Sequence, residues 1–172
     1  QATPGEITII NRGPSTLTYL YVTPVTEVGW GDDRLGSDTV GRGRRFRFDM
    51  DGRECRTDVR AVFENGREET RFGLDICRQP EITLTGRTET SAADLGRTGP
   101  VALYLVRNRS GHTLQTLKLI GTNGQESDDV LGSTVVESDG AFTGRFQRSD
   151  GCTYDLVATF DGGEDQIAVP EV

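Results

Sequence analysis

The residues best equipped for chemistry in this chain are carboxylates gathered in two short glycine-containing loops. Asp32 and Asp33 follow Gly31, with Asp38 close behind, and Asp128 and Asp129 hold the matching places in the second half. Calcium takes six to eight oxygens from carboxylates and backbone carbonyls in flexible geometry, and a loop of this composition supplies several of them. These five aspartates are the candidate metal ligands, and calcium is the one ion the chain suggests. The same residues also serve a plainer purpose. An Asp pair ahead of Leu-Gly accepts hydrogen bonds from free backbone N–H groups where a tight turn begins, and that reading is favoured.

Other chemistry finds little support. The single histidine, His112, sits in a polar turn, with no second histidine to complete a metal pair or a Ser-His-Asp arrangement. Cys152 has no evident base, and no phosphate loop, dinucleotide fingerprint or nucleophile elbow occurs. Paired carboxylates for glycoside hydrolysis are expected by chance among 27 acidic residues. The group Asp49, Asp51 and Glu54 around Gly52 lacks the spacing of a helix-loop-helix calcium site and reads as a hairpin turn. Arg42, Arg44, Arg45 and Arg47 form a basic run able to receive an anion, although strand alternation accounts for Arg45 and Arg47 as a solvated face; the second half keeps only Arg145 and Arg148. Trp30, the only tryptophan, is either a core plug or a contact residue for a partner. The expectation is a protein that is not an enzyme, with a hydrolase of unknown type the least favoured alternative.

The elements that must hold these residues are revealed by an internal repeat. At an offset of 97, Asn11, Arg12, Thr16, Leu17 and Leu20 fall on Asn108, Arg109, Thr113, Leu114 and Leu117. The same offset places Cys55, Asp58, Ala61, Phe63 and Gly66 on Cys152, Asp155, Ala158, Phe160 and Gly163. Between these blocks the offset slips to 96, matching Asp32, Asp33, Leu35, Gly36 and Ser37 with Asp128, Asp129, Leu131, Gly132 and Ser133, as a one-residue loop deletion would produce. A period this long signals duplicated domains rather than a solenoid.

Each copy reads as four or five short strands. Residues 6–11 and 16–23 precede the acidic loop; residues 45–50 then alternate with Phe46, Phe48 and Met50 on one face and charged residues on the other. A hairpin follows, residues 55–64 and 67–77 about Asn65 and Gly66, the strongest short hairpin signal because both central positions of its turn need φ > 0. Gly162 and Gly163 repeat it. The reading is therefore all-β: two tandem small antiparallel β-sandwich or barrel-like domains related by internal duplication, over residues 1–86 and 101–172, with a Thr/Ser/Gly-rich linker at 87–100.

With Asn65 and Gly66 as a two-residue loop, Cys55 lies opposite Ile76, one residue from Cys77. A bulge or a three-residue loop would bring Cys55 and Cys77 face to face, and a disulfide between them is expected. Such a bridge implies an oxidising compartment, periplasmic or secreted. The counterpart of Cys77 falls past Val172, so Cys152 is a lone thiol, the first half of a pair completed further along a longer chain, or the site of a disulfide-linked dimer.

A net charge of −8 disfavours nucleic acid as a partner. No apolar stretch approaches the roughly 18 residues of a membrane-spanning helix. The chain opens at Gln1 without a methionine, as a mature or trimmed product would.

Asn11 with Thr16, Leu17 and Leu20, the stretch from Trp30 to Gly36, and the set Cys55, Asp58, Arg60, Ala61, Phe63 and Gly66 resemble an uncharacterised domain of bacterial secreted and periplasmic proteins. Its pattern is an Asn-rich first turn, a tryptophan before an acidic Leu-Gly loop, and a hairpin closed by a cysteine. Both copies follow it, except that Glu126 stands where Trp30 does and the second closing cysteine is missing. The resemblance implies an exported β-domain and supplies no activity. The expected function is non-enzymatic recognition of a protein or surface ligand, or a role in envelope structure. A calcium-binding module is the alternative.

Overall fold

The structure, a computed structural model, describes residues 5–50, 54–86, 90–151 and 153–162. It is nearly all β and divides into two compact units, residues 1–94 and 95–172.

The first unit contains β1 (Glu6–Asn11), β2 (Leu17–Pro24), β3 (Arg45–Asp49), β4 (Arg56–Phe63), β5 (Glu68–Asp75) and β6 (Glu81–Leu84). They form two sheets, in the orders β3-β1-β6 and β2-β4-β5. One core serves both: Ile7 and Ile9 from β1 and Ile82 and Leu84 from β6 cluster with Leu20 and Val22 from β2 and Val59, Ala61 and Phe63 from β4. Phe46 and Phe48 pack on this cluster from β3, as their alternation predicts, while Arg45, Arg47 and Asp49 stay exposed. The unit is thus a small sandwich of sheets that bury their apolar faces against each other. All pairings are antiparallel except one. β6 runs parallel to β1, Ile82 beside Ile9 and Leu84 beside Asn11, so that β1 is flanked on both edges and buried along its length.

The β4–β5 hairpin shows how the cysteines meet. The loop has three residues, Glu64 to Gly66, closed by Phe63 N–H to Arg67 C=O at 2.8 Å, not the two expected. Further along, Phe72 and Gly73 together oppose Asp58, whose carboxylate accepts the Gly73 N–H at 2.9 Å; Gly73 has φ +67°. The longer loop and the bulge each shift the register by one, in opposite senses. Cys55 C=O therefore still accepts from Ile76 N–H, and the disulfide joins Cys55 to Cys77 one step off that pair, with Cα atoms 5.2 Å apart. Closing a loop of this length contributes about 3 kcal/mol by the chain-entropy argument.

Between the units, Ala92–Leu95 makes one turn of helix, α1, inside the stretch read as irregular linker. Ser91 and Asp94 explain it: Asp94 N–H donates to Ser91 Oγ, and Asp94 Oδ2 accepts from Ser91 N–H and Oγ–H, a reciprocal cap at the helix start.

The second unit comprises β7 (Val101–Arg107), β8 (Leu114–Gly121), β9 (Ala141–Gln147) and β10 (Tyr154–Phe160), with a single 3₁₀ turn at Arg148–Asp150. β7 pairs with β9, and β8 with β10. Their registers reproduce those of the first unit: Ile10 beside Arg45 becomes Arg107 beside Ala141, and Leu20 beside Ala61 becomes Leu117 beside Ala158. Even the irregularity at Thr18, where β2 carries an extra residue, recurs at Gln115. Among the described residues this unit has no counterpart of β5 or β6.

One pair differs between the halves at the same place in the register. Ile7 faces Phe48 in the first unit; in the second the same place holds Tyr104 and Gly144. Tyr104 lies over Gly144 so closely that a Cβ there would overlap its ring, and it is flanked by Phe142 and Phe146 at 6.3 and 6.1 Å between centroids. Burial, with a smaller contribution from Tyr154, holds its phenol above the ordinary range, and the hydroxyl has no hydrogen-bond partner among the described residues. Gly144→Ala should cost about 1–3 kcal/mol through overpacking. In a Tyr104→Leu background the same change should cost clearly less. Urea unfolding of the two single variants and the double variant measures the coupling, and equal costs in both backgrounds would show that the ring does not fix the glycine.

Candidate functional site

The candidate residues converge on loops organised by two polar side chains, one buried and one half-buried. Asn11 ends β1 with its side chain fully enclosed. Its Nδ2 donates to Ser15 C=O at 2.9 Å and Val40 C=O at 2.8 Å, and its Oδ1 accepts from Gly13 N–H at 2.8 Å. Its own backbone adds two bonds, N–H to Arg44 C=O at 3.0 Å and C=O from Gly43 N–H at 2.7 Å. Asparagine suits the position because the task needs two donors and an acceptor on one short side chain. Asn108 repeats the set, donating to His112 C=O at 2.7 Å and Val136 C=O at 2.9 Å and accepting from Ser110 N–H at 3.1 Å.

Asp33 organises the acidic loop. Its Oδ1 accepts from Leu20 N–H at 2.9 Å and from Leu35 N–H at 3.1 Å, tying the loop to the edge of β2 and capping its own turn. Arg34 N–H then donates to Leu20 C=O at 2.7 Å, and Arg34 Nη2 to Val22 C=O at 3.0 Å. The loop thus covers the outer edge of β2, which would otherwise offer free backbone groups to another chain. Asp129 accepts from Leu117 and Leu131 N–H at 2.9 and 3.1 Å, and Val130 N–H donates to Leu117 C=O at 2.8 Å.

The proposed metal ligands therefore do different things. Asp33 and Asp129 are half-buried and each spends one oxygen on two backbone donors, as the turn reading expects; Asp32, Asp38 and Asp128 are exposed. Among the described residues the only three metal-capable side chains with ligand atoms within 4.8 Å of one another are Cys55, Asp75 and Cys77, and the two sulfurs are bonded together. Asp51, Gly52, Cys152 and Gly163 lie outside the described residues, and with them the thiol, the proposed dimer link and half of the second hairpin turn.

Trp30 is 7% exposed, its ring 6.3 Å from Phe72 in the β5 bulge, and its C=O accepts from Thr23 Oγ1. Its place is in the core. Glu126, its counterpart, instead pairs on the surface with Lys118 at 3.1 Å. His112 is exposed, with Nδ1 3.6 Å from Asp161 Oδ1. Arg45 pairs with Glu81 at 3.3 Å, both exposed, whereas Arg145, read as a remnant of the basic run, is 4% exposed and belongs to the interior.

Sequence reasoning missed the buried charges of β4 and β5. Glu69 is wholly enclosed, with Oε2 accepting from Arg71 Nε at 2.7 Å and Oε1 from the N–H groups of Thr85 and Gly86 just beyond β6. Arg60, 2% exposed, lies 3.0 Å from Glu68 and 5.2 Å from the centre of the Tyr21 ring. Burial raises the Tyr21 phenol pKa, partly opposed by the Arg60 charge. The polar run Glu68-Glu69-Thr70 carries no signal of burial; the chain crossing near Gly86 gives Glu69 two of its partners.

No family model matches the chain, and no curated protein matches it. Among solved structures it is similar to the NMR structure of a protein from Eubacterium rectale, at 19% identity and a TM-score of 0.34, over 49% of this chain and 82% of that one.

If Asp33 acts through its two backbone bonds, Asp33→Ala leaves two donors unmet and should cost about 1–3 kcal/mol, while Asp33→Asn, which keeps an oxygen acceptor, retains most of the stability. The parallel pair at Asp129 should behave alike. Urea unfolding distinguishes the substitutions, and an alanine variant as stable as the parent would remove this role.

Proposed function

We propose that this chain is an exported, non-enzymatic protein of two duplicated β domains, periplasmic or secreted, whose loops serve recognition of a protein or surface ligand, or envelope structure. The observation that carries the reading is the use made of the polar side chains within its loops: Asn11, Asp33, Asn108 and Asp129 are spent on holding loop backbone in place. A scaffold that fixes its loops with matching internal bonds while changing what those loops display suits a recognition surface. The disulfide supports an oxidising compartment, and the paired registers support an origin by duplication.

Two measurements test this. Thiol alkylation of intact producing cells, followed by fractionation, should find the protein outside the cytoplasm with Cys55 and Cys77 protected until reduced; a cytoplasmic protein with both thiols free would contradict the export. Co-sedimentation with purified envelope fragments should retain the protein, and a protein wholly in the supernatant would contradict envelope recognition. The calcium alternative rests on the exposed oxygens of Asp32, Asp38 and Asp128 together with the loop carbonyls. Calorimetric titration to millimolar calcium is expected to give no heat and no change in melting temperature, and a saturable isotherm would favour the alternative.

A further inference from the structure

In the first unit Asn11 does more than staple loops: it brings together two arginines thirty residues apart in the chain. Arg12 opens the turn after β1, its N–H bonded to Leu84 C=O at 2.8 Å. The next residue, Gly13, is buried, held to Asn11 Oδ1, and so close beneath Phe63 that a Cβ would overlap the ring. Arg42 lies in the turn from Gly41 to Arg44, closed by Arg44 N–H to Gly41 C=O at 3.0 Å and fastened to Asn11 through Gly43, which has φ +76°. Arg12, Gly13, Arg42 and Gly43 line one open concavity of about 320 Å³.

Both arginines are exposed, and among the described residues neither guanidinium has an ion-pair or hydrogen-bond partner. Two unpaired cationic residues therefore border one concavity on a chain whose net charge is −8. Two like charges on rigid turns repel unless an anion lies between them. The exposed N–H donors of the pair are met by water, which an anion's oxygens can replace. Arg44 and Arg47, also exposed and unpaired, continue the basic run from this point.

We propose that the Arg12–Arg42 concavity is a binding site for a tetrahedral oxyanion, a phosphate or sulfate group carried on an extended polyanion. A planar carboxylate is satisfied by one guanidinium fork, whereas a tetrahedral anion presents separate oxygens to forks arriving from two turns. The neighbouring Arg44 and Arg47 favour a polymer over a single small ion. The second unit keeps the scaffold without the charge. Arg109 matches Arg12, but Ser138 stands in place of Arg42 and Asp139, with φ +67°, in place of Gly43, donating its N–H to Asn108 C=O as Gly43 does to Asn11. The inference rests on the recognition reading above and gives it a ligand class.

The test uses the whole chain with inorganic phosphate and polyphosphate as probes. Phosphate titrated by NMR should shift the amides of Gly13 and Gly43 and leave those of Ser110 and Asp139 unmoved. Calorimetry with polyphosphate should show binding that weakens with salt, falls at least tenfold in R12Q/R42Q at unchanged melting temperature, and gains a second site when Ser138→Arg is combined with Asp139→Gly. Polyphosphate affinity untouched by R12Q/R42Q, or no shift at Gly13 and Gly43 with either phosphate or sulfate, would overturn the site. Heparin in place of polyphosphate separates sulfate from phosphate as the source, since binding to one polymer alone identifies it and binding to neither overturns the proposal. Co-sedimentation of the parent protein with envelope fragments separates the two ideas: retention without binding of either polyphosphate or heparin ends the oxyanion site and leaves recognition standing, while no retention ends the broader reading.

Discussion

The constraint behind this structure is that every backbone N–H and C=O removed from water needs a partner, and small β units with long loops leave many outside the sheet ladders. The molecule meets it with side chains that act as backbone substitutes. Asn11 occupies the place where three stretches of chain meet, and Asp33 sits where a loop must be held to a sheet edge. Asn11 is wholly enclosed and Asp33 half-buried, and in such surroundings a satisfied hydrogen bond is strong and an unsatisfied group costly. That cost makes the geometry specific, and its recurrence at Asn108 and Asp129 shows one solution used in both halves.

On that common frame the halves differ in how they are reinforced. The first unit has the β4–β5 hairpin, the disulfide at its base and the buried Glu69, which anchors the chain leaving β6, features without a counterpart among the described residues of the second. An enclosed carboxylate is tolerable here because Arg71 and two backbone N–H groups face it. Among its described residues the second unit relies instead on aromatic packing, Tyr104, Phe142, Phe146 and Tyr154 in succession, with Gly144 giving room for the Tyr104 ring. Differences on the loops follow the same division, with Arg42 against Ser138 and Trp30 against Glu126.

Much of this architecture was legible before any coordinates. The repeat locates equivalent strands and loops because registers and turns recur at the same spacing, and the alternation of Phe46 and Phe48 places β3 correctly. The Cys55–Cys77 pairing is readable from the hairpin, although its register is not: a longer loop and a bulge offset each other, and neither leaves a clear mark in the residues. β6 was missed because a four-residue strand pairing in parallel with a distant one gives no local period. The site was less legible. Asp33 finds its partner thirteen residues back at Leu20, so turn and metal readings look alike in sequence. The basic run near Arg42 is plain, but Arg12 joins it only because Asn11 binds both turns.

Native-state hydrogen exchange tests the central claim most directly, by following the amides that donate to the four organising side chains: Gly13, Leu20 and Leu35 in the first unit, Ser110, Leu117 and Leu131 in the second. If these side chains replace a sheet ladder, all six should exchange as slowly as neighbouring strand amides, despite four of them lying outside any strand. Exchange at the rates of open loops would mean that Asn11, Asp33 and their counterparts do not hold the loops, and the account built on them would fail.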